Sequence, residues 1–215
     1  MSPTGHDKIQ LKDVLNFFDY EKVRADMRGR VIDLKRVRRV PVGEHLSFVF
    51  ENRDTVLFQV QEMCRVERIT ADARVQDEID VYNALLPGPG ELSATLFIEI
   101  TDKAQIQAVL DRFIGIDAWG IDAGGIDAGG IDVGPTVWIQ VGREFAVPGE
   151  FEAGHSDQEK GKLSAVHFVR FAFPPEAVRA FASSPVHLVV DHPAVRARVE
   201  LTAETKAQML EDLRG

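Results

Sequence analysis

Cysteine is almost missing from this chain: Cys64 is the single one among 215 residues, so no disulfide can form within it and no multi-cysteine zinc or iron-sulfur site can be built from one copy. No apolar run approaches the roughly 20 residues needed to cross a bilayer. The start, Met1-Ser2-Pro3-Thr4-Gly5-His6-Asp7, has neither the basic head nor the apolar stretch of a secretory leader. A cytoplasmic setting without membrane contact is therefore expected. Glycine patterns of the dinucleotide and Walker types are absent, as are the Gly-x-Ser-x-Gly elbow and His-Glu-x-x-His. What is present is globular in character, with 45% hydrophobic and 27% charged residues. The length suits a single domain over residues 1–215, with 87–90 as the best candidate for a sub-boundary.

The charge is unevenly placed. A formal net charge of -9, from 25 basic and 34 acidic side chains, favours solubility and speaks against general nucleic-acid or membrane-surface binding. Between Lys22 and Arg39 the balance reverses: eight basic residues stand against Asp26 and Asp33, while the rest of the chain carries an excess of fifteen acidic groups. Advancing about 100° per residue, Val23, Met27, Val31 and Leu34 share one helix face, and Arg24, Arg28, Lys35 and Arg39 fall in a sector of about 60° beside it. Such a stripe suits docking to an acidic protein face, a phosphate or an RNA. It is equally the ordinary solvated side of an amphipathic helix, with Lys and Arg stems covering apolar surface.

Leu11, Val14, Leu15 and Phe18 have helical spacing, and Tyr20 to Val37 continues as the basic helix. From Arg38 to Glu51 two short extended runs flank Pro41-Val42-Gly43-Glu44, as in a hairpin. Asn52 or Asp54 can cap a helix from about Thr55 to Ile69, and Asp72 opens another that stops at Pro87-Gly88-Pro89-Gly90. Beyond that turn the chain reads strand, helix, strand twice. The first set is Leu92 to Ile100, Lys103 to Phe113 and Thr136 to Val141; the second is Leu163 to Phe173, Pro175 to Ala182 and Val186 to Val190. Phe145 to Val147 adds a short strand, Val195 to Leu201 a last one, and Ala203 to Leu213 a closing helix. The expected class is α+β: N-terminal helices and a hairpin, then two βαβ units in a largely antiparallel sheet covered by helices.

Gly115 to Gly134 is a tandem pentapeptide, Gly-Ile-Asp-Ala-Trp, Gly-Ile-Asp-Ala-Gly twice, and Gly-Ile-Asp-Val-Gly. Asp117, Asp122, Asp127 and Asp132 are evenly spaced carboxylates. Five-residue steps match neither the alternate ligands of an EF-hand loop nor the nine-residue repeats of calcium β-rolls. The segment reads as a flexible loop expanded between a helix and a strand.

The stretch from Phe50 to Arg68 is the most informative. On a helical wheel Val56, Leu57, Val60, Met63 and Cys64 form one face with Glu67 projecting into it, and Phe58 and Ile69 lie nearly opposite, beside Glu62 and Arg65. A helix packed on two sides must pair its charged groups or aim them into a cleft, because burying an unpaired charge is costly. Glu62, Arg65 and Glu67 are therefore candidate catalytic groups of a polar site; the plain alternative is a Glu67 paired to an arginine at a fraying helix end. In Leu163 to Phe173, alternation sets His167 with Val169 and Phe171, its ring toward the core, so His167 joins the catalytic candidates. His192 sits where a strand leaves the sheet. Convergence of His167 and His192 with Glu62 or Glu67 would supply the imidazole and carboxylate set used by iron, manganese or zinc. No close-spaced motif accompanies it, since the one Glu-x-x-His, Glu152-Ala153-Gly154-His155, falls in a loop. Cys64 reads as a packed thiol rather than an exposed nucleophile.

The run from Arg36 to Arg68, with Ser164-Ala165-Val166-His167-Phe168-Val169-Arg170-Phe171 and Val190-Asp191-His192-Pro193, resembles an uncharacterised bacterial family, domain of unknown function thirty-five-oh-one. The likeness covers nearly the whole chain. Its most specific part is Phe-Glu-Asn-Arg-Asp-Thr-Val followed by Gln-x-x-Glu-Met, at Phe50 to Val56 and Gln59 to Met63; the Gly-Ile-Asp repeats look like a local expansion of a short linker. The resemblance carries over no catalytic residue. It implies a neighbourhood, because related proteins tend to be encoded beside rubrerythrin-like and iron-sulfur oxidoreductase-like proteins, a setting of peroxide defence or electron transfer. The leading expectation is a cytosolic accessory protein without a cofactor of its own, docking on a redox partner through Arg24, Arg28, Lys35 and Arg39. Two others stand beside it. One is a metal-dependent enzyme or metal-binding protein using His167, His192 and Glu62 or Glu67. The other is an RNA-binding protein using the basic stripe, whose affinity would fall steeply with salt.

Overall fold

The computed structural model describes residues 7–117, 135–152, 156–157 and 162–214. After a 3-10 turn at Leu11–Asp13, helix α1 (Phe17–Arg38) starts where the Asn16 side chain accepts from the Asp19 backbone N–H at 3.1 Å, satisfying a donor of the open first turn. It runs directly into β1 (Arg39–Val42), which returns as β2 (Leu46–Phe50) through a turn with Gly43 at φ 65°. That left-handed backbone is why a glycine stands there. Helix α2 (Arg53–Val66) opens with a reciprocal cap: the Asn52 side chain accepts from the Thr55 N–H, and the Thr55 hydroxyl accepts from the Asn52 N–H, both at 3.0 Å. There follow α3 (Asp72–Asn83), β3 (Glu91–Ile98), α4 (Ile106–Arg112), β4 (Val137–Val141), β5 (Phe145–Phe151), the short β6 (Ser156–Asp157) and β7 (Lys162–Leu163), and β8 (Val166–Ala172). The chain ends with α5 (Pro175–Phe181), β9 (Val186–His192), β10 (Val195–Glu200) and α6 (Ala203–Arg214).

Eight strands join in the order β1-β2-β3-β8-β5-β4-β9-β10, every pairing antiparallel, and β1 comes back near β10, so the sheet curls almost into a barrel. This overturns the expectation of two βαβ units in a helix-covered sheet. A βαβ unit needs parallel flanking strands. The strands flanking α4, β3 and β4, are separated by β8 and β5 and run in opposite directions; those flanking α5, β8 and β9, are separated by β5 and β4 and also run oppositely. The physical reason lies in β5, expected only at Phe145 to Val147. It extends to Phe151, pairs with β4 through a tight turn, and then takes β8 as its other neighbour.

Alternate residues of the strands meet inside the curl. Phe48, Phe50, Leu96, Ile139, Phe171 and Leu188 are all fully buried there. Gly149 makes the approach of β5 to β8 possible, since a Cβ at that position would lie 2.8 Å from Val169 Cγ2 and 3.0 Å from Phe171 Cε1. Helices α4, α5 and α6 add Leu110, Phe181 and Met209 to this core. A second, smaller apolar cluster forms where α2, α3 and the N-terminal segment pack together through Ile9, Val56, Val60, Cys64 and Ile79, with Phe168 of β8 reaching it from the sheet. Arg38 ties the end of α1 to β2 and α6. Only 1% exposed, it donates from Nε to the Phe50 carbonyl at 2.7 Å and from Nη2 to the Glu51 carbonyl at 3.1 Å, and it ion-pairs with Asp212 of α6. Among the described residues, no helix is long and apolar enough to cross a membrane.

Candidate functional site

Helix α2 lies between the barrel and the N-terminal segment, and its polar residues serve both sides. On the barrel side it covers Glu51, which is 2% exposed at the end of β2. Oε1 accepts from the Thr95 hydroxyl at 2.7 Å; Oε2 accepts from the Thr55 hydroxyl at 2.5 Å and the Gln59 amide at 3.1 Å. Three neutral donors thus replace water around a buried carboxylate. Glu51 borders a cleft of about 270 Å³ shared with Glu150, Glu152, Phe168 and Arg170. The Arg170 guanidinium is committed to Glu91 at 2.7 Å and to the Ala84 and Leu86 carbonyls at 2.7 and 3.1 Å.

On the other side, Glu62 is the hub joining α2 to α1. Its Oε1 accepts from the Tyr20 hydroxyl and Arg24 Nε, both at 2.7 Å, and its Oε2 from Arg24 Nη2 at 3.0 Å; Arg65 Nε and Nη2 add two longer bonds at 3.2 Å. The Arg24 hydrogen bonds, helped by Tyr20 and Arg65, hold the Glu62 carboxyl down at about 2 against the opposing effect of burial. Burial and the adjacent Glu62 push the Tyr20 hydroxyl well above its ordinary range. The arrangement is a fixed carboxylate clamped by two guanidinium groups, which orients α1 rather than offering a proton near neutral pH.

The N-terminal segment is fastened over α2 and α3 by a row of bonds from their side chains. Arg53 Nη2 donates to Asp13 at 2.7 Å and its Nε to the Asp7 carbonyl at 3.1 Å. Gln61 accepts from the Leu15 N–H at 2.9 Å and donates to the Leu15 carbonyl at 2.8 Å; Asn83 grips the Ile9 backbone in the same two-handed way at 2.9 and 3.0 Å. Beneath the segment these bonds leave a groove of about 640 Å³ lined by Val14, Leu15, Tyr20, Cys64, Arg65 and Val75, among others. Burial pushes the Cys64 thiol up, keeping it protonated.

The residues singled out from sequence are distributed as follows. Glu62 and Arg65 are brought together; Glu67 is not, standing exposed as the C-cap of α2. His167 is 1% exposed inside the barrel, with Nε2 at 2.7 Å from the Ser164 carbonyl and Nδ1 at 3.5 Å from Asp117. His192 accepts at Nδ1 from the Ala194 N–H at 3.1 Å and donates from Nε2 to the Ile114 carbonyl at 3.1 Å, with its ring stacked on Phe113. Each imidazole is served by its own neighbourhood, and the expected convergence of His167 and His192 with Glu62 or Glu67 does not form; among the described residues no group of three His, Cys, Asp or Glu side chains could hold a metal ion. Asp122, Asp127, Asp132 and His155 lie outside the described residues. The cationic stripe is split in two. Arg24 belongs to Glu62, and Arg39 bonds Glu99 at 2.5 Å and Ser47 at 2.7 Å while covering the Phe97 ring. Arg28 and Lys35 have no carboxylate within ion-pair reach among the described residues.

Sequence reading missed Arg38 with Asp212, and Glu51. Arg38 carried a signal: Tyr20, Val31 and Arg38, the three buried residues of α1, fall within about 20° on the wheel. Glu51 closes a strand that is buried at every position, Leu46–Phe50, and a carboxylate at that place demands donors. The segment that carries the family resemblance supplies Glu51, Asn52, Arg53, Thr55, Gln59 and Glu62, the bonds that hold α2 against its neighbours.

No curated protein matches the chain. It is similar to a solved structure, a novel protein of unknown function from Burkholderia pseudomallei, with 29% identity and a TM-score of 0.82, covering 96% of this chain and 100% of that one. The likeness therefore includes both the barrel and the N-terminal layer. A family model, protein of unknown function DUF3501, matches residues 8–213. With nearly its whole length inside that match, the chain belongs to the DUF3501 family.

Proposed function

We propose that this protein is an accessory protein that docks on the acidic face of a redox partner through the outer side of α1. The observation that carries this reading is the exposure of α1: of its 22 residues only Tyr20, Val31 and Arg38 are buried. Arg28, Ile32 and Arg36 follow one another at four-residue steps along its free side, and Ile32 is 51% exposed among them. None of Arg28, Arg30, Lys35 and Arg36 has a carboxylate within ion-pair reach among the described residues. An apolar residue flanked by the uncommitted guanidinium groups of Arg28 and Arg36 has the make-up of an interface centre with charged surroundings. The rest of the chain is acidic, so an acidic partner is repelled elsewhere and steered to α1. The family resemblance supports rubrerythrin-like or iron-sulfur oxidoreductase-like proteins as the partner class.

The test is binding of the full chain to a purified rubrerythrin-like protein at low and at high salt, with an RNA oligomer as a parallel probe. Wild type is expected to bind the protein in a salt-sensitive way, and the pair Arg28→Glu, Arg36→Glu to weaken binding by roughly tenfold or more. Binding that survives the reversal unchanged contradicts the reading. So does loss of RNA binding on reversal with no protein complex formed by wild type.

A further inference from the structure

The outer side of α1 carries an order that charge alone does not require. Phe18, Lys22, Ala25, Gly29, Ile32 and Arg36 advance in steps of four and three and fall within about 80° of one another, opposite the buried Tyr20, Val31 and Arg38. All six are exposed, Phe18 by 78% and Ile32 by 51%. The apolar members Phe18, Ala25 and Ile32 recur at every seventh residue, and so do Lys22, Gly29 and Arg36 between them. The flanks keep the same period: Asp19, Asp26 and Asp33 line one side, and Glu21, Arg28 and Lys35 the other. A seven-residue repeat held at a seam and on both its flanks is the layout of a helix that packs lengthwise on another helix.

Gly29 adds to this. Glycine is the poorest helix former after proline, yet it stands near the middle of a 22-residue helix, where a Cβ would meet nothing within 4 Å. Packing inside the molecule therefore gives no reason for its presence. Beside Ala25 at the centre of the seam, it lowers the surface so that a second helix can come close, with the bulkier Phe18 and Ile32 to either side.

The charges decide what that second helix is. Lys22 is tied to Asp19 of α1 at 2.7 Å, whereas Asp26, Arg28, Asp33, Lys35 and Arg36 have no opposite charge within ion-pair reach among the described residues. A second copy of α1 is a poor occupant in either direction. Laid parallel, it sets Lys22 and Arg36 each against its own equivalent and Glu21 toward Asp26; laid antiparallel, it sets acidic flank on acidic flank and Arg28 on Arg28. Like charges so placed repel. The complement is a helix of another protein, apolar along its seam, with carboxylates toward Arg28, Lys35 and Arg36 and a base toward Asp26 and Asp33.

We infer that α1 is one half of a two-stranded coiled coil, completed by an amphipathic helix of the partner that lies along Phe18, Ala25, Gly29 and Ile32 with its acidic flank on Arg28 and Arg36. This rests on the reading of α1 as the docking face and names the element of the partner that the face takes.

The probe is a labelled peptide of three heptads, with leucine and alanine alternating along its seam, glutamate on one flank and lysine on the other. Its binding to the full chain is followed by fluorescence anisotropy, and a peptide of the same composition in scrambled order is the control. Saturable one-to-one binding of the heptad peptide is expected, with the scrambled peptide roughly tenfold weaker or more. The side chain of Gly29→Trp enters open space in the free protein, so the variant is expected to fold and to keep the helical circular dichroism of wild type. Its affinity for the heptad peptide is expected to fall by roughly tenfold or more, because the indole stands where the second helix must approach. The inference is overturned by equal binding of the two peptides, by absence of saturable binding, or by a folded Gly29→Trp variant that binds like wild type. A wild-type dimer in sedimentation that Gly29→Trp dissolves also overturns it, since the occupant is then a second copy. Failure of the docking reading shows differently, as retention of the rubrerythrin-like protein by the Arg28→Glu, Arg36→Glu pair.

Discussion

Inside the barrel, His167 and His192 each bond to nearby main chain, and His167 Nδ1 faces Asp117 at 3.5 Å, whereas in the N-terminal layer Glu62, Arg53 and Gln61 bond from one element to another and leave a groove of about 640 Å³ beneath them. The polar groups of the first region satisfy burial; those of the second set the spacing of surfaces. Apolar residues divide in the same way. The strands turn Phe48, Phe50 and Phe171 fully inward, while the helical layer leaves Phe18 78% exposed and Ile32 half in solvent. Burial without residue is what a scaffold needs, and unspent apolar and cationic surface is what recognition needs. On the proposed reading, recognition belongs to the N-terminal layer and stability to the barrel.

The sharpest break of that comparison is a cavity in the barrel. Phe171→Ala removes a fully buried ring packed 6.1 Å from that of Phe50 and is expected to cost about 3–5 kcal/mol in urea unfolding. A loss below about 1 kcal/mol contradicts the barrel as the seat of stability. A smaller effect, about 1 kcal/mol, is expected from Glu62→Gln, which loosens α1 from α2. The pH dependence follows from the sign of the shift. The Glu62 carboxyl sits at about 2, below its ordinary 4.5, so its stabilising effect is complete above about 4.5 and is lost as pH falls through about 2. Amide protection of α1 in wild type is expected to decline across that window, and that of the Gln variant to lack this decline. Parallel behaviour of the two proteins contradicts the role of the hub.

Local pattern made much of this legible. The β1–β2 hairpin and the Asn52 cap of α2 lie where alternation and side-chain chemistry put them. The closure of the sheet was not legible, because a period of two tells which residues share a face and not which strand lies beside which. The neighbours β5–β8 and β4–β9 are set by packing across the interior, where Gly149 lets one strand approach Val169. At the site, Glu62 and Arg65 stood out as charges on a packed helix and Arg24 as part of the cationic stripe, but the bonds by which Tyr20 and Arg24 reach Glu62 from 42 and 38 residues away did not. The partner of Arg38 lies 174 residues along the chain, beyond any local pattern. The cationic stripe was visible as a sector, but spacing along a helix cannot show that α2 brings a carboxylate to Arg24 and leaves Arg28 without one.

The central claim is that partners are met by α1 while the barrel stands behind it. Amide hydrogen exchange of the full chain, free and with a purified rubrerythrin-like protein, addresses it most directly. Slowed exchange concentrated between Arg24 and Arg36, with β3, β8 and β9 unchanged, is the expected result. Slowed exchange in the barrel strands with α1 unaffected would contradict the account.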